Sequence, residues 1–106
     1  MIKITVNKKE NAYTGFVSEG HAGYAREGQD IVCAAVSALI ITTVNAVETL
    51  TGDRPEVKEG DGYVSMTFAE TLSKEGTLLM DALILGLTQI QDSYGKKFLN
   101  IRFKEV

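Results

Sequence analysis

A chain of 106 residues, 44% hydrophobic and 24% charged, is long enough to bury one core and too apolar to stay disordered along its whole length. Its 14 acidic residues outnumber its 11 basic ones, and no basic run exceeds two residues, which argues against nucleic-acid binding through phosphates. One cysteine excludes an internal disulfide, and one cysteine plus one histidine falls short of a zinc ligand set, so neither metal nor cofactor is expected.

Ile2, Ile4 and Val6 alternate with Lys3, Thr5 and Asn7, which predicts a strand with one buried face. The polar run from Asn7 to Asn11 fits a hairpin turn. Tyr13, Gly15 and Val17 then alternate with Thr14, Phe16 and Ser18 in a second, pairing strand. Gly20, Gly23 and Gly28 mark the next segment as a loop with unusual backbone freedom. Asp30 is a good N-cap for a helix running to about Leu50, which would be about 30 Å long.

The stretch from Ile31 to Val47 carries no charge, but it is short for a membrane span. It contains Ser37, Thr42, Thr43 and Asn45 and has no basic anchor at either end. The alternation starts directly at the first residues, so no leader is expected, and a buried helix in a cytoplasmic protein without a membrane partner is expected. The apolar positions of this helix run most of the way round. The sheet can cover one side, and the rest needs the second helix or another subunit.

Thr51 to Pro55 ends the helix, with Gly52 near its C-cap. Glu56-Val57-Lys58 is a short strand, Glu59 to Gly62 a turn, and Val64, Met66 and Phe68 the apolar side of the next strand. A second helix is predicted from Leu72 to about Tyr94, with Leu79, Leu83, Leu87 and Ile90 on one face. Thr71 or Ser73 would cap it, and Gly95 would stop it. Leu99, Ile101 and Phe103 form the inward face of a last strand. The order β-β-α-β-β-α-β predicts an α+β fold: one domain over residues 1–106 with a mixed sheet and two helices.

The lone cysteine falls in the first turn of the apolar helix, where unpaired N–H groups and the helix dipole favour an anionic sulfur. His21 lies where a strand meets the glycine loop and could serve as ion-pair partner, base and acid. First-turn N–H groups could hold an oxyanion. The same facts fit a packed cysteine in a core helix and a surface histidine, because spacing alone does not bring the two together. Asp30 either caps the helix or orients His21. Ser37, one turn beyond Cys33, either bonds back to a helix carbonyl or joins the site. The glycines serve turns, or they let the loop swing over a bound peptide that Tyr24 then touches.

The stretch Gly20-His21-Ala22-Gly23-Tyr24-Ala25, then Gly28, then Asp30-Ile31-Val32-Cys33-Ala34-Ala35-Val36-Ser37, resembles the signature of the ribosomal-processing cysteine protease family, Prp. The resemblance spans nearly the whole chain in length and element order. It implies a His/Cys dyad falling on His21 and Cys33, a homodimer, and a glycine loop that moves to admit substrate. It also implies a substrate: the short, apolar, aromatic-rich N-terminal extension of large-subunit ribosomal protein number twenty-seven, which ends beside a small residue and is followed by a basic stretch. A non-catalytic peptide-binding module of the ribosome is the alternative.

Overall fold

The alternation of Ile2, Ile4 and Val6 becomes β1 (Ile2–Lys9), an inner strand of a five-stranded sheet in the computed structural model, which describes residues 1–106. β2 (Ala12–Glu19), β3 (Glu56–Gly60), β4 (Tyr63–Thr67) and β5 (Leu99–Glu105) complete the sheet in the order β3-β4-β2-β1-β5. β5 runs parallel to β1, and the other three pairings are antiparallel. A parallel neighbour needs a crossover, and α2 (Lys74–Tyr94) supplies it between β4 and β5. With α1 (Ile31–Leu50) the order is β-β-α-β-β-α-β, the α+β class that the sequence predicts.

The first turn is tighter than the polar run suggests. Strand pairing continues to Lys9 and Ala12, leaving Glu10 and Asn11 as the two loop residues, at φ 50° and 68°. Positive φ at both central positions is the type I′ hairpin geometry, which matches strand twist. The alternation expected for β2 does not run unbroken. Asn7 faces Gly15 and Lys8 faces Tyr13, so Thr14 is an extra residue. Such a bulge exchanges the two faces of a strand. Phe16 and Ser18 are buried beyond it, and before it Tyr13 reaches Asp81 of α2.

Both helices begin on side-chain caps. The Asp30 carboxylate accepts from the Cys33 N–H at 3.0 Å, and the Ser73 hydroxyl from the Gly76 N–H at 2.9 Å. Ser73 rather than Thr71 is therefore the second cap, and α2 starts two residues after Leu72. Gly95, at φ 109°, closes α2 by donating its N–H to the Gln91 carbonyl.

The core is one cluster of 17 buried side chains. Ile2, Ile4, Val6, Phe16, Met66 and Leu99 come from the sheet, Val32, Val36, Ile40, Val44 and Val47 from α1, and Met80, Leu83 and Leu87 from α2. The sheet and α2 together cover one side of α1, which is long and apolar enough to cross a membrane by length and composition alone. Ile31, Ile41 and Leu50 remain exposed on it. The last strand departs from expectation at one residue. Phe103 pairs with Val6 and so keeps the inward register, but β5 is an edge strand and Phe103 stays 57% exposed.

Candidate active site

β2 ends at Glu19, and the chain leaves the sheet through Gly20, His21 and Ala22. Gly20 is needed here twice over. It sits at φ 95°, and a Cβ on it would collide with the Met1 carbonyl oxygen. Ala22 is buried and anchors the start of the loop, while the His21 imidazole projects outward with its side chain 60% exposed. Gly23 and Gly28 also have positive φ, 71° and 85°, but open space surrounds them, so backbone conformation rather than crowding selects glycine there.

Cys33 stands three residues after the N-cap of α1, half-buried against the core and with a free thiol. It lines two adjoining clefts, of about 340 Å³ and about 170 Å³. His21 and Ser37 line both clefts as well, so residues from the β2 exit and the first two turns of α1 meet in one place. The larger lobe is completed by the glycine loop, including Gly23, Glu27 and Gly28. The smaller reaches Ile41 of α1 and the β3–β4 turn.

Asp30 is the helix cap. One carboxylate oxygen accepts from Cys33 N–H and the other from Tyr24 N–H, each at 3.0 Å. Burial pushes this carboxyl up, but backbone N–H donors from Cys33, Tyr24, Ala25 and Val32 outweigh it and hold the group below its ordinary value. Its contacts are with the backbone, and the acid beside the imidazole is a different one. His21 Nε2 lies 3.8 Å from the carboxylate of Asp61, at the β3–β4 turn. Two of the first-turn donors expected to hold an oxyanion are also occupied: Cys33 N–H bonds the Asp30 carboxylate, and Ala34 N–H bonds the Asp30 carbonyl.

Tyr24 sits outside both clefts, its ring edge-on to Tyr94 at 5.4 Å and Phe98 at 5.1 Å. It ties the glycine loop to the junction of α2 and β5. The β3–β4 turn is the part of the site that sequence reasoning missed. Pairing continues to Gly60 and Tyr63, so the turn is Asp61-Gly62, shorter than the expected Glu59 to Gly62. The Asp-Gly pair signals a tight hairpin, but nothing local says that this hairpin folds onto His21.

The clefts hold a nucleophilic thiol, an imidazole and a hydroxyl beside a glycine-rich loop, an arrangement suited to acyl transfer. The family model described as "Cysteine protease Prp" matches residues 1–99. The ribosomal processing cysteine protease Prp of Staphylococcus aureus strain Mu50 is 34% identical over 103 residues, covering 95% of this chain and 93% of that protein. Its namesake from Bacillus subtilis strain 168 is 36% identical over 101 residues, covering 89% and 90%. The crystal structure of the S. aureus ribosomal processing protease with a covalently linked product peptide superposes with a TM-score of 0.92 at 29% identity, over 98% of this chain and all of that one. This chain belongs to the cysteine protease Prp family.

Proposed function

We propose that this protein is a cysteine endopeptidase that removes the short N-terminal extension of large-subunit ribosomal protein number twenty-seven, with Cys33 as nucleophile and His21 as its base. The observation that carries this reading is that the chain's only cysteine and only histidine line the same two clefts, with the cysteine in the first turn of a helix. The covalently linked product peptide of the S. aureus relative fits the same chemistry.

His21 takes the thiol proton, and the thiolate sulfur attacks the scissile carbonyl carbon. The C–N bond breaks as His21 returns that proton to the departing amine, leaving an acyl-enzyme. Water, deprotonated by His21, then releases the acyl group and restores the thiol. In the free protein the imidazole rests beside Asp61; contacts that are long before substrate binds tighten in the complex. The acidic groups around the larger lobe, Glu27 and Asp30, suit the basic stretch that follows the cleavage point and would speed encounter more than they tighten binding. The same reading makes the protein a cytoplasmic homodimer, the second copy covering apolar residues such as Leu50 that stay exposed on α1.

The test is mass spectrometry of a synthetic peptide spanning an apolar, aromatic extension and a basic ribosomal-protein start, incubated with wild type, Cys33→Ala and His21→Ala. Cleavage at one bond by wild type alone supports the proposal. Binding without cleavage by any of the three would make the protein a peptide-binding module instead. Cleavage that persists in Cys33→Ala would rule out the thiol as nucleophile.

A further inference from the structure

We infer that Asp61 is the positioning residue of His21, placing the imidazole proton on Nε2 so that the Nδ1 lone pair is left for the Cys33 thiol. This rests on the reading of His21 and Cys33 as a reactive pair and adds a third group that comes from another part of the chain.

Three observations on one turn support it. Asp61 is the acidic neighbour of the imidazole, with its carboxylate 3.8 Å from Nε2, whereas the Asp30 carboxylate is committed to backbone N–H groups. The ring also lies directly over Gly62. A Cβ on Gly62 would sit 2.8 Å from Nε2, 3.3 Å from Cε1 and 3.4 Å from Cδ2, so a larger residue would push the ring away from this position, and φ 61° independently favours glycine there. Finally, the turn is fixed relative to the histidine. Gly20 N–H donates to the Gly62 carbonyl at 2.8 Å, and Glu19 pairs with Tyr63 in the β2–β4 ladder. The strand exit that carries His21 and the turn that carries Asp61 therefore move as one piece.

The consequence for proton bookkeeping is direct. In neutral imidazole one nitrogen carries hydrogen and the other a lone pair, and the partner of one nitrogen decides the assignment. A carboxylate beside Nε2 favours hydrogen there, so Nδ1 is the atom that takes the thiol proton and later returns it to the leaving amine. The Asp61 carboxylate stabilises the imidazolium formed in between. Because its side chain is 97% exposed, the effect is that of a surface ion pair, about three- to fivefold in rate, rather than the far larger loss seen when a buried triad carboxylate is removed.

The experiment uses the protein's single histidine, which gives one set of imidazole nitrogen signals. Nitrogen-15 spectra of wild type, Asp61→Asn, Asp61→Ala and Asp61→Glu would be read alongside kcat/KM on the cleavable peptide. The expected result is an Nε2–H tautomer in wild type and Asp61→Glu and a shift toward Nδ1–H in Asp61→Ala. Peptide cleavage should fall about three- to fivefold in Asp61→Ala and Asp61→Asn, recover in Asp61→Glu, and differ less from wild type as salt is raised. A purely structural role for the turn would move neither the tautomer nor the salt dependence. Equal tautomer populations in wild type and Asp61→Ala would overturn the assignment, as would equal rates. Full activity in His21→Ala would instead remove the underlying pair and leave the tautomer measurement standing on its own, so the two failures are distinct.

Discussion

Asp30 holds the N-terminus of α1 and the middle of the glycine loop with the two oxygens of one carboxylate. Replacing it by alanine removes an N-cap and a loop tether together, and we expect a loss of about 1–2 kcal/mol. For a domain of this size each kcal/mol lowers Tm by roughly 4–8 °C, which a thermal melt detects. Asp30→Asn keeps an acceptor at the cap and should melt between the two. Cys33 makes the opposite case. Its side chain is small and only half-buried, so Cys33→Ala should fold with a near wild-type melt and yet cleave no peptide. Cys33→Ser should be nearly as inactive, because a hydroxyl is a weak nucleophile at neutral pH without the ionisation open to a thiol. A serine variant working at close to the wild-type rate would contradict thiolate chemistry at this position.

The two helices are tied together at the end of the molecule away from the cleft by a chain of hydroxyl and carboxylate bonds. Thr51 Oγ donates to the Val47 carbonyl at 2.6 Å and accepts from Asp53 N–H at 3.1 Å. Asp53 accepts from Ser73 Oγ at 2.7 Å and from Ser73 N–H at 3.0 Å, while that same hydroxyl caps α2 at Gly76. Sequence reading takes Ser73 as a cap candidate but does not see what aligns its hydroxyl. The consequence is a contrast between two glycines of α2. By helix propensity alone, glycine to alanine gains about 1 kcal/mol. At Gly76 the new methyl would run into the Asp53 carboxylate, so Gly76→Ala should destabilise, and Asp53→Ala in the same chain should relieve part of the loss. At Gly86 the methyl would meet only the end of the Leu39 side chain, which can turn aside, so Gly86→Ala should be neutral or stabilising. Urea denaturation of the three variants reads the signs directly. A stabilising Gly76→Ala would show that the Asp53–Ser73 link does not hold this junction closed.

Over the whole molecule, the titrating groups define a window of stability. The Asp53 carboxyl is held below its ordinary 3.8 chiefly by the Ser73 hydroxyl, against an opposing push from burial, and Asp30 is held down by backbone donors. A carboxyl depressed in the folded state stabilises fully above its unfolded value, and that contribution is lost as pH falls through the folded one. Both terms therefore fade below pH 3.8. Tyr13 behaves in the opposite sense. Burial, then the hydrogen bond and charge of Asp81, push its pKa from 10.0 to about 12, so its contribution is complete below pH 10.0 and is lost on the way to about 12. Urea midpoints measured against pH should show a plateau between these limits. Asp53→Asn should flatten the acid flank and Tyr13→Phe the alkaline one. An alkaline flank unchanged in Tyr13→Phe would mean that the bond from β2 to α2 does not couple to folding.

The features legible in the residues alone are local in origin. The buried face of β1, the cap at Asp30, the stop at Gly95 and the glycine loop before Cys33 all follow from neighbours a few residues apart, because backbone propensity, capping and periodicity act over that range. The motif around His21 and Cys33 is legible for the same reason: its members lie within one continuous stretch. The remaining features depend on segments distant in sequence. The bulge at Thr14 turned Tyr13 toward α2, and the edge position of β5 left Phe103 uncovered. The placement of Asp53 against Gly76, and of Asp61 and Gly62 against His21, came from sheet register and the crossing of chain ends. Those contacts carry no local signature, since the same Asp-Gly turn would form at the tip of any hairpin. Its place beside an imidazole is set by the pairing of β4 with β2, which a short stretch of chain does not encode.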